Sequence, residues 1–175
     1  KLNKIYLSYK FSKCYKNYEL SNKGQNFIIA GHTYGHPSDK NKSTYPKFLS
    51  HLMKEEIKGE KIILAGDIVK EASLENFSNV KKELELFFKK IYVSPGNHDV
   101  KSKLIDKKDF FLKIFSKSFD HFVYKNNLFL ILDTTINPGS LSRDQLDFIK
   151  NKFQDNVKYN HIFVITHHVI WQDYI

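Results

Sequence analysis

In four places this 175-residue chain sets metal-competent side chains at the end of a short apolar run. Phe27-Ile28-Ile29-Ala30 runs into Gly31-His32-Thr33-Tyr34-Gly35-His36, and Lys61-Ile62-Ile63-Leu64-Ala65 into Gly66-Asp67. Ile91-Tyr92-Val93-Ser94-Pro95 runs into Gly96-Asn97-His98-Asp99, and His161-Ile162-Phe163-Val164-Ile165 into Thr166-His167-His168. Carboxylate, amide oxygen and imidazole together are a donor set for divalent metals. A carboxylate has two oxygens and a full charge, so Asp67 is the residue able to bridge two ions. Imidazole titrates near neutrality, which suits proton transfer.

Such side chains act together only if the elements before them deliver them to one place. An apolar run of strand length closed by a turn signal reads as a buried strand. Between the second and third runs, Leu74, Phe77, Val80, Leu84, Phe87 and Phe88 recur at helical spacing. Strand, helix and strand in that order predict a right-handed crossover between adjacent parallel strands. Sites in such sheets lie beyond the carboxyl ends of the strands, where Asp67, Asn97, His98 and Asp99 fall.

The rest of the chain reads as more of the same α/β pattern. A helix after Tyr45-Pro46 carries Phe48, Leu49, Leu52, Met53 and Ile57, with His51 on its exposed side. Residues 106–119 read as an amphipathic helix whose Phe110, Phe111, Ile114 and Phe115 favour core over a cap above the site. Phe122-Val123-Tyr124 and Leu128–Leu132 flank a turn at Asn126-Asn127 and predict a β-hairpin. Ser142, with Gln145 three residues on, is a capping-box start for a helix carrying Leu146, Phe148, Ile149 and Phe153.

The series Gly66-Asp67, Gly96-Asn97-His98-Asp99 and His167-His168 after a strand resembles the calcineurin-like metallophosphoesterases. The likeness covers residues 27–175, and its most specific element is Gly-Asn-His-Asp behind a strand. It implies a two-sheet α/β sandwich flanked by helices, two divalent metal ions, and metal-dependent hydrolysis of phosphoesters. In that scheme the ions clamp the phosphoryl group and a metal-bound hydroxide attacks in line. Asp67 is then the bridging ligand and Asn97 a neutral oxygen ligand. His98 stands near the leaving-group oxygen as a transition-state stabiliser or proton donor, and Asp99 orients its ring. One of His167 and His168 is a metal ligand, with the family register favouring His167. Leu132-Asp133-Thr134 corresponds to a structural element near the edge of the second sheet.

One motif departs from the family. The first strand there ends in Asp-x-His, whereas here Gly31-His32-Thr33-Tyr34-Gly35-His36 contains no Asp. His32 is expected to replace that Asp as a nitrogen ligand, and His36 is the candidate for the second imidazole. Losing a carboxylate shifts the preference toward Mn, Fe or Zn over Mg. The family's last element, Gly-His-x-His, does not appear in this chain, so the resemblance implies a domain incomplete at its C-terminus. Residues 1–26 read as an N-terminal arm without chemistry of its own.

Bulk properties bound the partners. The chain carries 28 Lys and Arg against 19 Asp and Glu, a formal net charge of +9. A basic balance is compatible with a nucleic-acid partner. Arg143 is the lone arginine, however, and the lysines are scattered, whereas phosphate and base readout recruits Arg. A nucleic-acid nuclease and a catalytically degenerate scaffold of the same fold are therefore the alternatives to a phosphoester hydrolase. A scaffold has no need of Asn97 and His98 together. Cys14 stands alone and excludes an intrachain disulfide, which fits a reducing, cytoplasmic setting. No apolar run approaches the length of a membrane span.

Overall fold

The computed structural model describes residues 27–35, 43–54, 59–102, 105–136, 139–153 and 158–170. His36, Cys14 and the whole N-terminal arm lie outside them. Strands β1 (Phe27–Ala30), β2 (Gly59–Ala65) and β3 (Phe88–Ser94) form one parallel sheet in that order. Helix α1 (Pro46–Lys54) links the first pair and α2 (Leu74–Glu85) the second. After β3 come the one-turn helix α3 (Asn97–Val100), a short ladder of β4 (Lys101–Ser102) with β5 (Ile105–Asp106), and α4 (Lys108–Phe115). Strands β6 (Asp120–Tyr124), β7 (Asn127–Ile131) and β8 (His161–Ile165) form the second sheet. Helix α5 (Arg143–Asn151) joins β7 to β8, which pair in parallel.

Strand alternation sorts the apolar side chains into three layers. On β2, Ile62 and Leu64 face the helices and pack with Leu52, Phe77, Val80, Leu84 and Phe111. Ile63, between them, faces the second sheet and packs with Phe122, Phe129, Ile131 and Ile165. On β7, Leu128, Leu130 and Leu132 turn the other way, onto Phe148 and Ile149 of α5. The result is a helix–sheet–sheet–helix sandwich, as expected. Aromatic rings fill the space between the sheets. Phe122 stacks on Phe129 at 4.6 Å, and Phe129 on Phe163 at 4.7 Å, while Phe27 meets Phe129 edge-on at 4.9 Å. The apolar face of α4 is core: Phe111 is fully buried and meets Phe77 edge-on at 5.7 Å.

Three details differ from the sequence reading. Helix α2 ends at Glu85, and Phe88 opens β3 instead of closing the helix. Gly59 pairs with Phe88, so the ladder to β2 claims that residue despite its helical spacing. The hairpin turn centres on Lys125-Asn126, both at positive φ (47° and 59°), the geometry of a two-residue type I′ turn. Leu132-Asp133-Thr134 follows β7, the middle strand of the second sheet, and is buried throughout.

Candidate metal centre

The carboxyl ends of β1, β2, β3 and β8 meet at one rim, and the turns beyond them bring His32, Asp67, Asn97 and His167 together. Asp67 is at the centre, 2% exposed. One of its oxygens, Oδ2, lies 3.5 Å from His32 Nδ1. The other, Oδ1, lies 3.5 Å from His167 Nε2 and accepts the His98 backbone N–H at 3.1 Å. Asn97 Oδ1 stands 3.2 Å from His167 Nε2. Donor atoms of His32, Asp67 and His167 all fall within 4.8 Å of one another.

Hydrogen bonding on the far side of the His167 ring determines what faces the centre. His167 Nδ1 lies 3.2 Å from the Ala65 carbonyl oxygen, which can only accept, so that nitrogen carries the proton. In the neutral ring Nε2 then presents its lone pair toward Asp67 Oδ1 and Asn97 Oδ1. A neutral imidazole, a carboxylate and an amide oxygen brought together in this way form a donor set of the kind a divalent cation takes. A backbone carbonyl behind the ring is also the usual partner of a metal-binding histidine. Opposite ligands of one zinc-sized ion stand at most about 4.2 Å apart. The wider 4.8 Å spread closes with a small movement of His32, whose side chain is 62% exposed. The donor set therefore fits a divalent metal.

Backbone geometry clears the space. Gly66 has φ +79°, and a Cβ there would strike the His167 ring. A Cβ on Gly96 would strike Asp67 Oδ1. His32 and Asp67 are themselves left-handed, at φ 51° and 53°. Non-glycine residues there cost about 1–3 kcal/mol and cluster where function demands them. Here the strain turns both side chains over the sheet rim.

His98 and Asp99 are adjacent in sequence but take different directions. The His98 ring projects toward the Lys70 carbonyl, with Nδ1 at 2.8 Å from that oxygen. The Asp99 carboxylate points inward, fully buried, and accepts three backbone N–H groups: Gly96 at 2.8 Å, Ile68 at 2.9 Å and Val69 at 3.2 Å. Asp99 therefore does not orient the His98 ring, contrary to the sequence expectation. Within α3, successive side chains diverge by roughly 100°, so neighbours cannot share a target. Asp99 instead ties the loop after β2 to the turn before α3. Burial pushes its carboxyl up to about 7; the Gly96 amide opposes the rise and the Asp67 charge adds to it.

His168 stays out of the donor cluster. Its backbone N–H donates to Thr134 Oγ1 at 3.0 Å, and its Nδ1 lies 3.1 Å from the same hydroxyl. Burial, followed by the neighbouring His167, holds its pKa below the usual value. The structural role of Asp133-Thr134 is thus to seat the segment after β8. Asp133 is clamped in turn: Gln145 accepts from its N–H and donates to its carbonyl, both at 2.8 Å. Half of the capping box forms, since Gln145 N–H donates to Ser142 Oγ at 3.3 Å, while the glutamine side chain is committed to Asp133.

Sequence reasoning missed Tyr34 and the Lys70 carbonyl. Tyr34 is 2% exposed, and its ring centre lies 5.4 Å from that of His98 and 6.2 Å from that of His32. The signal available was its place between two glycines and two histidines in the variant first motif.

With this fold and this rim of donors, residues 32–174 match the family model described as calcineurin-like phosphoesterase, and the chain belongs to that family. Among curated proteins it is similar to the 3′,5′-cyclic adenosine monophosphate phosphodiesterase CpdA of Haemophilus influenzae, at 24% identity over 132 residues. That match covers 73% of this chain and 47% of the relative, so the chain spans about half the relative's length. No helix among the described residues is long and apolar enough to cross a membrane.

Proposed function

We propose that this chain carries the metal centre of a phosphoester hydrolase, with His32, Asp67, Asn97 and His167 holding a divalent ion of the Mn, Fe or Zn class. The observation that carries the reading is the approach of Asp67 Oδ1 and Asn97 Oδ1 to His167 Nε2, at 3.5 and 3.2 Å, with His32 Nδ1 at 3.5 Å from the other Asp67 oxygen. Asp67 would also be the residue able to hold a second ion, because its two oxygens face different imidazoles. Bound metal supplies a Lewis acid for the phosphoryl oxygens and a lowered water pKa.

The chain's own residues supply position and a proton. Asp67 anchors the metal side and, through the His98 N–H, fixes the start of α3 beside it. His98 Nδ1 is bonded to the Lys70 carbonyl, which leaves Nε2 as the nitrogen that takes and gives the proton. An imidazolium beside the departing alkoxide donates to it as the phosphorus–oxygen bond breaks. Such donation acts in the transition state and adds little to ground-state binding.

The family relation and the cyclic-nucleotide activity of the curated relative support a phosphoester substrate. The test is His98→Ala in metal-loaded protein. Turnover of alkyl phosphodiesters should fall about 100- to 10,000-fold with metal content unchanged. For nitrophenyl esters, whose leaving group needs no proton, the loss should shrink. Equal losses with both substrates would remove His98 from the acid role.

A further inference from the structure

With Asp99 turned inward, the Lys70 carbonyl is the hydrogen-bond partner of the His98 ring among the described residues, and an imidazole held at one point can still swing about that bond. The ring facing it is that of Tyr34, with centres 5.4 Å apart and planes inclined by 39°. Tyr34 is 2% exposed although it sits in a turn, and the turn is fixed from several sides. His32 N–H donates to the Gly66 carbonyl at 3.0 Å, and Gly35 N–H to the His32 carbonyl at 3.1 Å. The Thr33 carbonyl accepts from Tyr45 N–H at 2.7 Å. Gly35 has φ +95°, and a Cβ there would strike the Tyr45 ring. Tyr34 is therefore a rigid wall, and it touches both the His32 ring of the donor set and the His98 ring.

We propose that Tyr34 is the positioning residue of His98: its ring face and the Lys70 carbonyl together set the plane and tautomer of the imidazole. The inference rests on the proton-donor reading of His98, and it predicts something that reading does not, a dependence of the His98 ring on an aromatic face.

The test compares Tyr34→Leu with Tyr34→Phe in the full chain loaded with zinc; Tyr34→Met replaces the leucine variant should that not fold. Long-range nitrogen–proton NMR correlations of the His98 ring should show the Nδ1–H tautomer in the wild type. The leucine variant should show averaging between the two tautomers, and the phenylalanine variant should recover the wild-type pattern. Turnover of an alkyl phosphodiester should fall about 10- to 100-fold in the leucine variant, the scale of a misplaced catalytic group. It should fall less for a nitrophenyl ester and be largely rescued by phenylalanine, while zinc content stays at the wild-type level. An unchanged His98 tautomer in the leucine variant overturns the inference, as does a phenylalanine variant as impaired as leucine. Loss of zinc overturns it too, by moving Tyr34 to the metal. His98→Ala measured in parallel separates the two failures: without leaving-group dependence there, the proton-donor reading falls, and the tautomer spectra alone decide the role of Tyr34.

Discussion

Replacing Asp99 tests whether it holds the loop together or takes part in the reaction. Alanine at this position strands the N–H groups of Gly96, Ile68 and Val69, now bonded at 2.8, 2.9 and 3.2 Å. All three residues are buried, so water cannot replace the carboxylate. A buried donor left without a partner costs about 1–3 kcal/mol. Relief from burying the carboxylate offsets part of the roughly 3–9 kcal/mol sum, so the expected total is about 2–6 kcal/mol. Domains have about 5–15 kcal/mol of stability, which puts Asp99→Ala near the limit of folding. Asp99→Asn is the informative variant. Its oxygen still serves Ile68 and Val69, but its amide nitrogen faces the Gly96 N–H, donor against donor, at about 1–3 kcal/mol. Urea denaturation followed by circular dichroism should show a midpoint lowered by about 1 M, for slopes of about 1–3 kcal/mol per molar. An asparagine variant with the wild-type midpoint and depressed turnover would refute this account and return Asp99 to the reaction.

Two further outcomes follow from the geometry. Gly66→Ala should cost about 1–3 kcal/mol for the left-handed backbone and displace His167, so calorimetric zinc affinity should drop even where the protein still folds. Asp133 is buried, which raises its pKa, but Lys108 at 2.6 Å and the Thr135 hydroxyl and amide outweigh that and hold it below the usual value. A depressed carboxylate contributes stability above its unfolded pKa, about 3.9, and loses it as pH falls through the folded value. Asp133→Asn should therefore flatten the acid limb of a stability–pH profile below about pH 4, and an unchanged acid limb would count against the ion pair.

The sequence announced the donors because each closes an apolar run, and a strand end is a place that composition and periodicity can find. Asp67, Asn97 and His167 needed only the parallel order of β1, β2 and β3 and the parallel β7–β8 pair to meet. The partners of those donors were not legible in the same way. Lys70 acts through its carbonyl, which has no sequence signature, and Tyr34 reads as any aromatic until the turn folds it under the rim. Adjacency to His98 suggests a shared task for Asp99, whereas a single helical turn points the two apart. The Phe87-Phe88 pair kept helical spacing past the end of α2, and only the ladder to Gly59 shows where the helix yields to the strand.

Metal content of the purified full chain, wild type beside Asp67→Ala, tests the centre most directly. Asp67 alone touches both imidazole sides of the cluster and carries its negative charge. After equilibration with Mn²⁺ or Zn²⁺ and removal of free ion, the wild type should retain at least one equivalent by elemental analysis. Asp67→Ala should retain almost none while keeping its fold by circular dichroism. An alanine variant that binds as much metal as the wild type would contradict the assignment of this rim as the metal centre.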